Sequence, residues 1–135
     1  MSQESIRKLR EMLSRYARPS VLVIEDDPMD AELVQYQFTN ISADLVFAKN
    51  GEEAIKAASA RDFALMIVDL ILPDVVDPTE FVKQLKAIRP ETPIVILTGA
   101  VTETLKRVLS KWALAVLVKP LTREQVEDAF KTLAK

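Results

Sequence analysis

From residue 20 onward, short apolar runs alternate with longer amphipathic stretches. Ser20–Ile24 (SVLVI), Asp44–Ala48 (DLVFA), 63–68 (FALMIV), 93–97 (PIVIL) and 113–118 (ALAVLV) predict five strands. Most are apolar at every position rather than at alternate ones, the signature of parallel strands covered on both faces. Asp44–Ala48 is weaker and reads as an edge. Between them, 29–38 sets Ala31, Leu33, Val34 and Phe38 at helical spacing, and 52–60 follows an Asn50-Gly51 turn signal. Residues 79–88 carry Phe81, Val82, Leu85 and Ile88 and should stop before Arg89-Pro90. Two more helices are expected over 102–112 and 122–133, the last opening on Thr122 with Gln125 three residues on, a capping box. Five successive βα units predict an α/β fold, a doubly wound parallel sheet with right-handed crossovers and helices on both faces. That unit spans 20–135 as one domain.

Residues 1–19 stand apart as an N-terminal extension. Ile6, Leu9, Leu13 and Tyr16 share one helical face over 1–18, and Pro19 closes the run. A helix that docks on the body or pairs with a second copy is one expectation. A partly ordered tail is the other, because isolated helices this short are marginal in water.

Charge sharpens the division. The extension holds five basic side chains against two acids, a local +3, so of an overall −2 the remaining chain carries −5. Nothing in that balance suggests nucleic acid as a partner. The chain has no cysteine and no histidine, which excludes disulfides, thiolate chemistry, His general-base catalysis and His metal ligation. The longest apolar runs are far too short to span a bilayer, and no signal peptide is visible, so a cytoplasmic protein without a membrane partner is expected.

The chemistry sits where strands should end. Glu25 and Asp26 follow the first strand and Asp69 the third. In open α/β sheets ligands bind beyond the carboxyl ends of strands at a topological switch point, where these acids would converge. Converging carboxylates repel unless a cation neutralises them, and an all-oxygen set suits a hard ion, Mg²⁺ above others. The plainer reading is also open: Glu25, Asp26 and Asp27 suit a helix start with Pro28 in its first turn, and Asp69 suits a loop cap. Thr98 with Gly99 closes the fourth strand, and Lys119 with Pro120 closes the fifth. Together these side chains could hold a metal, offer a carboxylate nucleophile and neutralise a phosphoryl group.

The strings VLVIEDDP, NGEEAI, VDLILPD, VILTGA and VLVKP, in this order over residues 20–135, resemble the receiver domains of bacterial response regulators. The resemblance implies a flavodoxin-like sheet of order 2-1-3-4-5 and a two-component phosphorelay role. Asp69 would accept a phosphoryl group from an external phosphohistidine. Asp26 and Asp69, with the backbone carbonyl of Ile71, would ligate Mg²⁺, and Glu25 would act mainly through water. Thr98 and Lys119 would engage the phosphoryl group, and Lys119–Pro120 would be cis. The implied partners are a histidine kinase or phosphotransfer protein and a downstream protein target. A homodimer through 1–18 or the last two helices is a further expectation. The only enzymatic activity implied is the domain's own Mg²⁺-dependent phosphorylation and dephosphorylation.

This chain departs from that pattern in places. Val116 stands where an aromatic is usual, Asp74 where Gly is common, Asp77-Pro78 for Asp-Gly, and Trp112-Ala113 for Gly-Ala. Trp112 reads as a packing residue. Neither Ile71 nor Ala100 offers a hydrogen-bonding side chain to orient a hydrolytic water, which predicts a long-lived phosphorylated state. A phosphorylation-independent interaction module is the competing reading, favoured by Val116. An Asp-nucleophile phosphatase lacks a second carboxylate at Ile71, and a nucleotide-binding role lacks a Gly-rich loop.

Overall fold

A computed structural model describes residues 19–39, 41–120 and 122–125. Its elements are β1 (Ser20–Ile24), α1 (Pro28–Gln37), β2 (Asp44–Ala48), α2 (Gly51–Ala60), β3 (Leu65–Val68), α3 (Pro78–Ile88), β4 (Ile94–Thr98), α4 (Glu103–Leu109) and β5 (Ala115–Val118). The strands form one parallel sheet of order β2-β1-β3-β4-β5. Both the doubly wound class and the strand order implied by the resemblance are met. The expected N-terminal helix over 1–18 and most of the one over 122–133 lie outside the described residues.

The uniform apolarity of the strands has its expected cause. Leu22 and Ile24 of β1 face a core with Ala54 and Ala58 of α2, Phe81, Val82 and Leu85 of α3, and Leu109 of α4. Val21 and Val23 face the other side, with Val34 of α1 and Phe38. Alternate residues of one strand thus enter two separate cores. Leu85 is fully buried, and its truncation to Ala would cost about 2–5 kcal/mol. Among the described residues β2 pairs only with β1, and it has Phe47 exposed, consistent with its weak apolar pattern.

Helix starts follow the polar residues that mark them. Asp27 takes the Met29 N–H at 2.9 Å with Pro28 in the first turn, and Asn50 takes the Glu53 N–H at 2.8 Å. Thr122 and Gln125 form the reciprocal capping box, with both bonds at 3.1 Å. Several extents differ from expectation, and two of them show a local cause. α4 stops at Leu109 because the Lys111 and Trp112 N–H groups bond three residues back, to Val108 and Leu109, tightening the chain out of the α-helix. β3 begins at Leu65; Phe63 is buried outside the strand, and its carbonyl accepts the Thr92 hydroxyl at 3.0 Å. Apolarity there reported burial rather than strand.

Candidate functional site

The ladder runs one residue past the strands, and in three cases that residue is one the sequence marks as a candidate. The N–H of Glu25 bonds Ala48 O at 2.9 Å, that of Asp69 bonds Ile24 O at 2.9 Å, and that of Lys119 bonds Thr98 O at 2.7 Å. Each of these side chains therefore leaves a backbone held by the sheet, not by a free loop. Because β1 lies between β2 and β3, the order reverses at β1, and Glu25 and Asp69 emerge side by side.

The run Glu25-Asp26-Asp27 divides its labour. Asp27 is spent on capping α1, so the plain helix-start reading holds for that residue. Glu25 and Asp69 are 6% and 5% exposed, and Asp26 is exposed. Ligand oxygens of Glu25, Asp26 and Asp69 all lie within 4.8 Å of one another. Asp69 Oδ1 accepts the Ile71 N–H at 3.0 Å, which ties the following loop to the carboxylate.

Lys119 reaches over from β5. Its Nζ donates to Glu25 Oε1 at 2.5 Å, Asp30 Oδ2 at 2.7 Å and Asp69 Oδ2 at 2.9 Å. Burial opposes its charge, yet the bonds to Asp30, Glu25 and Asp69 carry its pKa well above the usual lysine range. Glu25 moves the other way from a normal ion pair. Burial, and then the hydrogen bond to Asp69, push it up to about 7, against the pull of Lys119. The two directions have different causes: Lys119 gains from three carboxylates, whereas burial dominates at Glu25.

Asp30 was missed in the sequence pattern. It lies in the first turn of α1, where an acid is ordinary, and its partner is distant in sequence. Thr98 is fully buried at the end of β4, with its hydroxyl donating to Ala100 O at 3.4 Å. Ile71, two residues after Asp69, is 67% exposed. Val116 is buried in the core, and Trp112 packs at the core's edge with the Lys83 ammonium 5.5 Å from its ring centroid, a packing role as expected. Lys119–Pro120 is cis.

The donor set fits a hard cation. Three carboxylates converge with only oxygen ligands, and among the described residues Lys119 is the cation bonded to the two buried ones. Their charge exceeds what one lysine offsets, so a metal ion could complete the site. Among the described residues, no helix is long and apolar enough to cross a membrane.

Comparisons with known proteins agree with this geometry. Residues 21–131 match the family profile described as the response regulator receiver domain. The chain is 30% identical over 104 residues to the autoinducer 1 sensor kinase/phosphatase LuxN of Vibrio campbellii, covering 77% of this chain and 12% of that protein. It is 31% identical over 116 residues to the alkaline phosphatase synthesis transcriptional regulatory protein PhoP of Bacillus subtilis, covering 85% of this chain and 48% of that protein. The chain thus spans less than half the length of these curated relatives. Among solved structures, a response regulator protein from Burkholderia pseudomallei with a phosphorylated aspartic acid, calcium ion and citrate superposes with a TM-score of 0.76 at 27% identity, covering 86% of this chain and 68% of that one.

Proposed function

The chain belongs to the response regulator receiver domain family, and on that premise we propose that it is a phosphorylatable switch whose acceptor is Asp69. The observation that carries this reading is the convergence of Glu25, Asp26 and Asp69, with Lys119 bonded to both buried acids. An Asp69 carboxylate oxygen attacks the phosphorus of a phosphohistidine on a separate protein. The N–P bond breaks, the imidazole leaves, and an aspartyl phosphate forms. The donor is external because this chain has no histidine; a histidine kinase or phosphotransfer protein is the chemical fit. Asp26 and Asp69, with the Ile71 carbonyl and with Glu25 through water, would hold Mg²⁺, which would offset charge on the transferred group.

The chain's own groups do the rest. The Ile71 N–H fixes one Asp69 oxygen, and Lys119 exchanges carboxylates for a phosphoryl oxygen once charge accumulates there. Thr98 turns its hydroxyl from Ala100 O toward the new group, and the shifted loops alter docking of a downstream protein. A cytoplasmic setting, a receiver boundary near residue 20 and a homodimer through 1–18 or the last two helices belong to the same proposal. Exposed Ile71 and Ala100 offer no side-chain hydrogen bond to a hydrolytic water, so the phosphorylated state should be long-lived. Rapid loss of label after donor removal, with Mg²⁺ present, would contradict that.

Intact mass after incubation with a small phosphodonor and Mg²⁺ tests the reading. One added phosphoryl group on the wild type and none on Asp69→Ala is expected. A second reading, a phosphorylation-independent docking module, is favoured by Val116, whose buried branched side chain leaves no aromatic ring to swing at that place. Absence of both the adduct and Mg²⁺ binding would select it.

A further inference from the structure

The loop joining β3 to α3 is tied to α2 by a contact that the acceptor chemistry does not itself require. Asp74 Oδ1 accepts the Gly51 N–H at 2.7 Å, and Asp74 Oδ2 accepts the Glu52 N–H at 2.9 Å. These are unpaired donors of a helix N-terminus, and Asn50 takes the next one from Glu53. Gly51 is fitted to the contact. A Cβ there would lie 2.8 Å from Val75 Cγ2 and 3.2 Å from Asp74 Oδ1, so a side chain would force the loop away.

The same loop carries the Ile71 backbone. Leu70 and Leu72 are buried on either side of exposed Ile71, and the Val75 N–H closes a turn on Leu72 O at 3.3 Å. Asp74 lies inside that turn. Beyond it Val76 is 99% exposed, and the next fixed point is Asp77, which caps α3 through the Thr79 and Glu80 N–H groups. The bonds to Gly51 and Glu52 hold the Asp74 pKa below the usual carboxylate range, so the contact is made by a charged group at neutral pH.

We propose that Asp74 is a positioning residue for the acceptor site: by latching the loop to the start of α2, it holds the Ile71 backbone where the cation and phosphoryl group are received. Asp74 touches neither, and acts through the turn between Leu72 and Val75. The latch rests on the reading of Asp69 as acceptor, yet part of it is measurable without phosphorylation.

The test compares wild type, Asp74→Ala, Asp74→Asn and Gly51→Ala by calorimetric Mg²⁺ titration, rate of phosphorylation by a small donor, and circular dichroism. Asp74→Ala and Gly51→Ala should each weaken Mg²⁺ binding by about 10-fold, as loss of a residue supporting a metal ligand does. Asp74→Asn, with one acceptor oxygen, should fall between them and wild type, and all three should phosphorylate more slowly at limiting Mg²⁺. If Asp74→Ala fails to fold, Asp74→Asn and Gly51→Ala carry the comparison. Folded variants matching wild type in Mg²⁺ affinity within about 2-fold would overturn the latch, since ordinary outer-shell effects are larger. A wild type that takes no phosphoryl group while the Mg²⁺ affinities still separate would instead remove the acceptor reading and leave the latch standing.

Discussion

At the amino ends of the strands, Arg89 donates to Ala58 O at 2.7 Å and Ser59 O at 3.4 Å and pairs with Asp62 at 2.8 Å. Lys86 donates to Thr92 O, the Thr92 hydroxyl to Phe63 O, and Arg61 bonds Ser20 while lying over the Phe63 ring. Arg89 thus meets carbonyls at the C-terminus of α2, the favourable end of its dipole. At the carboxyl ends the balance reverses. Glu25, Asp30 and Asp69 share one lysine, and the Asp26 carboxylate lies beside those of Glu25 and Asp69. The same sheet supports both ends. One is electrostatically settled and the other is left in conflict, and that conflict lies where the proposed cation and transferred group would be received.

The contrast is broken most severely by exchanging one residue at each end. Asp69→Asn should abolish phosphoryl uptake while the fold persists, whereas Arg89→Ala should leave uptake intact; intact mass and circular dichroism decide. Next in size is the response to Mg²⁺. Free ion at 100 times its Kd should raise unfolding free energy by about 2.7 kcal/mol, read by urea denaturation. Most of that should vanish in Asp26→Asn and persist in Arg89→Ala. Without metal, the two ends should also differ in sign. Arg89→Ala should cost about 1–2 kcal/mol by leaving Ala58 O without its charged donor. Asp69→Asn should stabilise the metal-free fold, because it removes one of the competing acids.

The smallest effect is in pH. Glu25 has a folded pKa near 7 against 4.5 for the free group, so the folded state holds its proton longer than the unfolded chain. Its contribution is therefore greatest below pH 4.5 and is lost as pH rises through 7. The difference between wild type and Glu25→Gln across that window should be on the order of 1 kcal/mol, since the coupled acids share the titration. Saturating Mg²⁺ should flatten it.

How far the sequence discloses this molecule follows from the range of the interactions. The strands were legible because burial on both faces writes a continuous apolar run, and helix starts because Asp27, Asn50 and Thr122 act within a few residues of themselves. The convergence of Glu25 and Asp69 followed from topology. Asp30 and Asp74 were not legible as partners. Their contacts, to Lys119 and to the start of α2, join segments 89 and 23 residues apart, and an isolated Asp near a helix or in a loop carries no mark of them. Asp74 stood out in the sequence only as an acid where glycine is common. The early end of α4 was hidden for the opposite reason: a local tightening at Lys111 and Trp112 leaves the apolar periodicity unchanged.

Which of the crowded acids carries the nucleophile is the central claim, and site mapping reaches it most directly. The protein would be phosphorylated with a small donor and Mg²⁺, reduced with borohydride to convert the acyl phosphate to an alcohol, and digested for tandem mass spectrometry. The account predicts reduction at Asp69 alone, and none when Mg²⁺ is chelated. Reduction at Glu25, Asp26 or Asp30, or equal yield without Mg²⁺, would contradict it.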